Sequence, residues 1–567
     1  MFEGVNASDG YGIGVAQVAV APDLSFTPTK PEDPEAEKAR YNEALAKFID
    51  QTNKQIERMK QSVGEEAAAI MGAHIEFAED EGIKDMVNGS IDSGMCAEQA
   101  VSEAYDMYFN MFSNMEDELF RERAADVADV KTGLLADLLG KQVVDLSSLP
   151  ENSIVVVKEL TPSMTADIDK ENVAGIVTET GGRTSHSAII ARALEIPAVL
   201  SVADATKNIK SGEMVIVDGT LGKVINNPED DVLDNYRAKA KSYAEEKAAL
   251  EAYRGKETVT GDGEKVLLVA NIGNPDDANV AAEHDAEGVG LFRSEFLFMD
   301  AKELPTEDEQ FAAYQKVALR MKDEPVIIRT LDVGGDKEIP YLNLKKEDNP
   351  FMGFRAVRYC LNNPEQYKVQ LTALLRASAF GDVKIMLPLV TTLDEVRQAK
   401  ALVEECKKEL DERGVAYNKD IEVGTMIETP AASLIADDLA EECDFFSIGT
   451  NDLIGYTMCA DRGNDRVSYL YTVYQPAVLR SLKRIIESGR EKGIMVGMCG
   501  EAAADPLLIP VLLSFGLNEF SVSAPSILRT RKIISEWTKE EADALTEKVM
   551  KLKTATEVKV MLQAAQK

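Results

Sequence analysis

Residues 422–452 read EVGTMIETPAASLIADDLAEECDFFSIGTND. An apolar run, EVGTMIE (422–428), gives way to a more polar stretch and then to a second apolar run, FFSIGTND (445–452). Strand, crossover and strand make one parallel unit, and here each strand closes on polar side chains. The same unit recurs on both sides. KVLLVANI (265–272), GVGLFRSEF (288–296), VIIRTLD (326–332) and KIMLPLV (384–390) precede it, and MVGMCGE (495–501) and EFSVSA (519–524) follow it. Between them, runs such as EQYKVQLTALLRASAF and TLDEVRQAKALVEECKKELDERG have helical periodicity. Eight β-then-α units over about 260 residues predict a (β/α)8 barrel. A doubly wound open sheet is the alternative.

A parallel barrel carries its active site at the C-terminal ends of its strands. Those ends give Asn271, Arg293, Arg329, Glu428, Asn451 with Asp452, and Cys499. An arginine inside an apolar run is costly unless an anion pairs with it. Arg293 and Arg329, with Arg462 in the loop ADRGND, make a clamp for phosphate and carboxylate. Glu428 and Asp452 end neighbouring strands one β/α unit apart, which suits an octahedral Mg²⁺ completed by substrate oxygens and water. Structural arginine–carboxylate pairing is the competing reading of these charges. Cys499 could move a proton, its thiol lying nearer neutrality than a hydroxyl, or could merely pack.

Outward from the barrel, residues 228–257 form a charged helical connector, within a linker set at 226–259; the barrel itself is set at 260–567. Residues 1–30 look like a short strand pair. Residues 31–140 are helical, with runs at Glu37–Gln61, Glu65–Glu81 and Ala97–Glu118. They carry 25 Asp/Glu against 10 Lys/Arg. That block is either a solvated bundle or a docking surface for a basic partner. Residues 141–225 return to short strands, SIVVVKEL, VAGIVTE and MVIVDG, alternating with brief helices. Within them lies GGRTSHSAIIAR (181–192). Of the three histidines, His74, His186 and His284, only His186 sits after a glycine pair and before a helical run, Ser187 to Leu194. Free N–H groups and the positive end of the helix dipole favour an anion there, and Arg183 adds a charge. An imidazole so placed is a candidate carrier of a covalent phosphoryl group, or else a polar turn residue.

A net charge of −36 argues against nucleic acid as a partner. No basic segment followed by an apolar core opens the chain, and no apolar stretch is long enough to span a bilayer, so neither a signal peptide nor membrane insertion is expected. The six cysteines lack CxxC spacing and read as reduced thiols of a cytoplasmic protein. No P-loop motif is present.

Seven motifs in order, GGRTSHSAIIARALEIPAV, LFRSEFLFM, VIIRTLDVGGDK, NPFMGFRAVR, GTMIETPAA, DFFSIGTNDLIGY with DRGND, and VGMCGEAA, resemble the phosphoenolpyruvate–protein phosphotransferases, the enzyme I family of the bacterial sugar phosphotransferase system. The resemblance runs the whole length. It implies a multidomain α/β chain: a swivelling phosphohistidine domain from residues 1–30 and 141–225, an inserted helical domain (31–140) that binds the carrier HPr, and a phosphoenolpyruvate-binding barrel through which members form homodimers. It implies that His186 takes phosphoryl from phosphoenolpyruvate, releasing pyruvate, and passes it to HPr. Arg293, Arg329, Asn451, Asp452 and Arg462 match substrate-binding positions, and Glu428 and Asp452 match Mg²⁺ ligands. Cys499 matches the proton donor to the enolate, and Thr165 a threonine that orients the histidine. Three departures stand out: ASDG near the N-terminus, DLIGY where DLTQY is common, and Gln475 in place of a frequent histidine. Pyruvate phosphate dikinase and phosphoenolpyruvate synthase share the histidine segment and barrel but need an ATP-grasp domain for which the first 140 residues leave no room. A non-catalytic regulatory paralogue is the remaining rival, and the retained set of reactive residues argues against it.

Overall fold

A computed structural model describes the chain except residues 20–22, 63–64, 114–117, 142–145, 147–148, 162–163, 165–167, 183–185, 300, 335–338, 343, 346, 462–463 and 465, and except the side chains of 59–62, 65–70, 118–122, 125, 186, 189, 193 and 340. Two compact units divide between Lys247 and Ala248, inside the helix Asp230–Glu251.

The first unit contains an eight-stranded mixed sheet. Its strands are β1 (Phe2–Glu3), β2 (Val5–Ser8), β3 (Tyr11–Ala19), β4 (Ser153–Val157), β5 (Val173–Thr178), β6 (Ala198–Leu200), β7 (Met214–Asp218) and β8 (Lys223–Asn226), in the spatial order β1-β8-β7-β3-β4-β5-β6-β2. Parallel pairing runs from β3 through β4 and β5 to β6. SIVVV of β4 is buried at every position, as expected of a central strand covered on both faces. Residues 1–30 thus supply three strands instead of a pair. Their partners lie far along the chain (Tyr11 faces Asp218, Val5 faces Leu200), so local pattern could not reveal them. YGIG of β3 is glycine-rich for close approach: a Cβ at Gly12 or Gly14 would run into the carbonyl oxygen of Ala174 or Asn152.

The insertion folds as helices Pro34–Ser62, Glu65–Glu79, Glu81–Asp92, Ala97–Ser113 and Glu118–Leu139. They share a core that includes Tyr41, Ile83, Val87, Val101, Tyr105 and Leu134. The run expected at Glu65–Glu81 breaks at Asp80, whose carboxylate accepts from Ile83 N at 2.9 Å and caps a new helix.

The second unit is a closed, all-parallel barrel of β9 (Leu267–Ile272), β10 (Val289–Arg293), β11 (Val326–Arg329), β12 (Val383–Leu387), β13 (Val423–Ile427), β14 (Phe445–Ile448), β15 (Met495–Met498) and β16 (Glu519–Val522). Pairing of Phe520 with Leu268 and Val522 with Ala270 closes the ring and excludes the open-sheet alternative. Alternate residues point inward, where Leu291, Ile327, Met386, Met426 and Phe445 pack around Cys499. A second apolar layer lies between strands and helices. Thr306, Thr392, Thr538 and Thr554 each start a helix with a reciprocal Thr–Glu capping box. Among the described residues no helix is long and apolar enough to cross a membrane, and all six cysteines are free thiols.

Candidate active site

The C-terminal mouth of the barrel opens into a cavity of about 560 Å³. Asn271, Arg293, Arg329, Glu428, Asn451, Asp452 and Cys499 all line it. Asn451 and Asp452 were expected at a strand end. β14 stops at Ile448, and they fall in the first turn of the helix Thr450–Met458. Arg462 and Thr165 lie outside the described residues.

Arg329, the last residue of β11, is buried and pairs with Glu295 Oε1 at 2.5 Å and Asp332 Oδ2 at 3.1 Å. Asp332 also accepts from Arg355 Nη2 at 2.9 Å, and that nitrogen lies 3.6 Å from Asp452 Oδ2. The sequence of charges is therefore Glu295, Arg329, Asp332, Arg355, Asp452, alternating in sign. Burial opposes ionisation of Arg329, but Glu295, Asp332 and Glu428 outweigh it and hold the guanidinium charged. Burial likewise opposes Arg355, and Asp332 and Asp452 prevail. The structural pairing read from the sequence is thus real for Arg329. Arg293 differs: it is exposed, with its guanidinium 4.9 Å from the Phe296 ring centroid, and so is accessible to an anion.

Glu428 follows β13. Its Oε1 accepts from Leu389 N at 2.6 Å, and Leu389 has φ +52°, a strained backbone for a branched residue. Gly449 leaves room for the carboxylate: a Cβ there would sit 2.5 Å from Oε2. Burial, then Asp452 and Asp332, push the Glu428 carboxyl up to about 8 against the pull of Arg329 and Arg355. Buried hard oxygens that repel one another fit a divalent cation, which would take the place of that proton. Among the described residues no cluster of three His, Cys, Asp or Glu could hold a metal by itself. Two carboxylates alone are a partial shell, open to ligands from substrate and water.

Cys499 is buried, and its Sγ donates to Ile448 O at 3.7 Å. Burial pushes the thiol up to about 12, despite the lowering effects of Ser447 and Arg329. Desolvation disfavours the thiolate, so the group is carried away from neutrality while staying below a hydroxyl; it rests protonated, as a donor must. Asn271 is a buckle. Its Nδ2 donates to Cys499 O (3.1 Å) and Ser521 O (3.2 Å), and its Oδ1 accepts from Ser521 Oγ at 2.7 Å.

In the first unit, His186 opens the helix His186–Ala193 one residue earlier than expected. The helix is anchored by Ser187 Oγ donating to Leu160 O at 3.0 Å and by buried Ala188, Ile190 and Ala191. Gly181 takes φ +108° in the turn before it. Arg183 and the His186 side chain are outside the description.

Three family models match: PEP-utilising enzyme, N-terminal, over residues 3–123; its mobile domain over 149–222; and its PEP-binding domain over 247–539. Phosphoenolpyruvate-protein phosphotransferases of Bacillus sp. (strain S) and Geobacillus stearothermophilus are each 48% identical over 98% of this chain and 96% of their own length. That of Bacillus subtilis (strain 168) is 46% identical over 98% of both. The chain belongs to the phosphoenolpyruvate–protein phosphotransferase family.

Within a chain of this family the sequence reading left out Arg355, Asp332 and Glu295, although all three stand inside quoted motifs. The signal was available: each is a charge in a segment too apolar to solvate it, the argument applied only to strand ends. Ala356, next to Arg355, adopts φ +53° and ψ −131°, a strained conformation that costs about 1–3 kcal/mol and turns the chain where Arg355 enters the site. The two later departures from the family pattern are accommodated locally. The helix Thr450–Met458 runs through Gly455 unbroken, and Gln475 starts the helix Pro476–Lys492, its Nε2 3.4 Å from Leu470 O.

Proposed function

We infer that the protein transfers the phosphoryl group of phosphoenolpyruvate to His186, releasing pyruvate, and then to a histidine of HPr, the first step of the sugar phosphotransferase system. One observation carries this reading: a single cavity at the barrel mouth gathers buried arginines, two mutually repelling carboxylates and a protonated thiol. Arg293 and Arg462 are suited to the substrate's anionic groups, and Arg329 and Arg355 keep positive potential over the transferring phosphoryl. Asn451 faces the same cavity as a substrate-binding residue. Glu428 and Asp452 would hold Mg²⁺, which when bound neutralises charge on phosphate and enolate oxygens. His186 attacks phosphorus, the bridging P–O bond breaks, and its electrons form the enolate. Cys499 then gives its proton to C3, making pyruvate. Thr165 is assigned to orient the imidazole.

On this reading residues 1–30 with 141–225 form the phosphohistidine domain, 31–140 the HPr-binding domain, 226–259 the linker and 260–567 the barrel. The acidic surface of the helical insertion, with Met107, Phe109 and Met111 exposed on one helix, suits the docking of HPr. We assign the protein to the cytoplasm, without nucleic-acid or membrane partners, as a homodimer through the barrel, which sedimentation at several concentrations tests. The central experiment is incubation with ³²P-labelled phosphoenolpyruvate, Mg²⁺ and purified HPr. Acid-labile, alkali-stable label on the protein, moving to HPr, is expected. Label that requires ATP, or that never reaches HPr, overturns the reading.

A further inference from the structure

The wall of the barrel-mouth cavity sorts by chemistry. Arginines, carboxylates and amides line most of it, and its apolar side chains are Leu291, Phe296, Phe351, Met426, Ala504 and Val522. Phe296, Phe351 and Ala504 stand beyond the strand ends, in the short helices Glu295–Met299, Pro350–Met352 and Glu501–Ala504. Each ring has a guanidinium over it, Arg293 at 4.9 Å from the Phe296 centroid and Arg355 at 5.7 Å from that of Phe351. Val522 packs in the outer layer between strands and helices. Among the described residues lining the cavity, Leu291 of β10 and Met426 of β13 are therefore the large apolar side chains that rise from the barrel interior.

Both are held in place, and both pack in one buried cluster with Cys499. Met426 Sδ lies 3.8 Å from Arg329 Nη1, and a Cβ added to Gly449 would stand 3.0 Å from that sulfur, so the side chain already fills the space against Gly449. Cys499 reaches the same corner from β15. Its N and Sγ both donate to Ile448 O, at 3.2 and 3.7 Å, and that carbonyl belongs to the peptide joining Ile448 to Gly449. Arg329, the neighbour of the Met426 sulfur, acts on the Cys499 thiol as well. Leu291 pairs with Asn271 on β9, whose Nδ2 donates to Cys499 O at 3.1 Å. The thiol and the two apolar side chains thus share one patch of the cavity floor.

Phosphoenolpyruvate is anionic at its carboxylate and its phosphate, and its one apolar part is the C3 methylene. We propose that Leu291 and Met426 are specificity-determining residues: they seat C3 against the Cys499 thiol and exclude enol phosphates that carry a substituent on that carbon. This rests on phosphoenolpyruvate being the substrate and Cys499 the proton donor to C3. A donor must lie within reach of the atom it protonates, and the side chains packed around this donor are apolar. The anionic ends of the substrate are drawn instead to the arginines, where a methylene gains nothing. A floor of close-packed side chains has no slack for an added methyl group, because the extra volume must displace neighbours already in contact. One methylene more or less in an apolar pocket is worth about 10–200-fold in discrimination.

The test uses the full-length protein with Mg²⁺ and two ³²P-labelled donors: phosphoenolpyruvate and its C3-methyl homologue, the enol phosphate of 2-oxobutyrate. Single-turnover labelling of His186 at sub-saturating donor gives a second-order rate constant for each, and the ratio of the two is the readout. The parent should favour phosphoenolpyruvate by about tenfold or more. Met426→Ala and Leu291→Ala should each cut that preference by about tenfold, while Met426→Leu, which conserves volume, should keep it. A general structural defect slows both donors alike and leaves the ratio parental. Parental ratios in both alanine variants therefore overturn the seat and leave phosphoenolpyruvate as the substrate. A parent that uses the two donors equally overturns it too. A parent that takes no label from phosphoenolpyruvate overturns the proposed function, and the seat with it. Should Met426→Ala not fold, Leu291→Ala decides by the same criteria.

Discussion

The molecule has two eight-stranded sheets, and they treat charge in opposite ways. In the open sheet of the first unit, Asp218 is the only fully buried charged side chain among the described strand residues. It is satisfied locally by Leu221 N and Tyr236 OH. The barrel buries Arg329, Glu428 and Glu519 at or beside its strands, with Glu295, Asp332 and Arg355 packed at its mouth. An open sheet has two faces to cover with apolar side chains, and in this one the proposed phosphoryl acceptor, His186, opens a helix. A closed sheet has an interior, where low dielectric strengthens every ion pair and lets a chain of alternating charges persist. On the proposed function, the first unit carries the phosphoryl group and the second stabilises charge while that group is made available.

That contrast breaks first at His186. His186→Ala should abolish labelling by phosphoenolpyruvate entirely while thermal unfolding stays as in the parent, because the first turn of a short helix adds little to the core. Stable label on another residue of the variant would remove His186 as the acceptor.

The next effect sets buried against exposed arginines in the same cavity. Arg355→Met leaves Asp332 with Arg329 alone and Asp452 without its cation, and should lower stability by about 3 kcal/mol, read by denaturant titration. Arg293→Met should leave the denaturation midpoint unchanged and raise KM for phosphoenolpyruvate. Equal stability losses in the two variants would mean that the charge ladder is not what distinguishes them.

Glu519 sharpens the comparison through pH. Its carboxyl is raised on folding from 4.5 to about 7, so the native state binds the extra proton between those values. Stability contributed by the neutral group is present below 4.5, declines as pH rises toward 7 and is flat above. The loss is of order 3 kcal/mol at most. Glu519→Gln cannot ionise, so its stability relative to the parent should climb across that window. A constant difference from pH 4 to 8 would show that the carboxyl does not titrate there.

The smallest effect concerns the metal shell. Asp452→Asn should raise the Mg²⁺ concentration for half-maximal activity by about tenfold, with the fold retained. An unchanged Mg²⁺ requirement would take Asp452 out of the shell.

Much of the site was legible because strand ends in a parallel barrel converge, and polar residues closing apolar runs mark those ends. Arg293, Arg329, Glu428, Asn451, Asp452 and Cys499 were found that way and do line one cavity. Arg355, Asp332 and Glu295 lie off the strand ends, in loop and short helix, where the apolar surroundings of each charge are the one local sign of its burial. Asn271 was read as a site residue, and its three hydrogen bonds make it a tie between β9, β16 and the end of β15.

The sequence by itself determined the barrel, through eight apolar runs at crossover spacing, and the family, through seven motifs in order along the whole chain. It also singled out His186 as the candidate phosphoryl carrier, the one of three histidines that follows a glycine pair and precedes a helical run. Only the tertiary structure decided the rest. Strands β1 to β3 acquire partners about 200 residues away, and pairing at that range leaves no local trace. The protonation of Cys499, Glu428 and Glu519 follows from burial and neighbouring charge, quantities that exist only once the strands have closed the barrel.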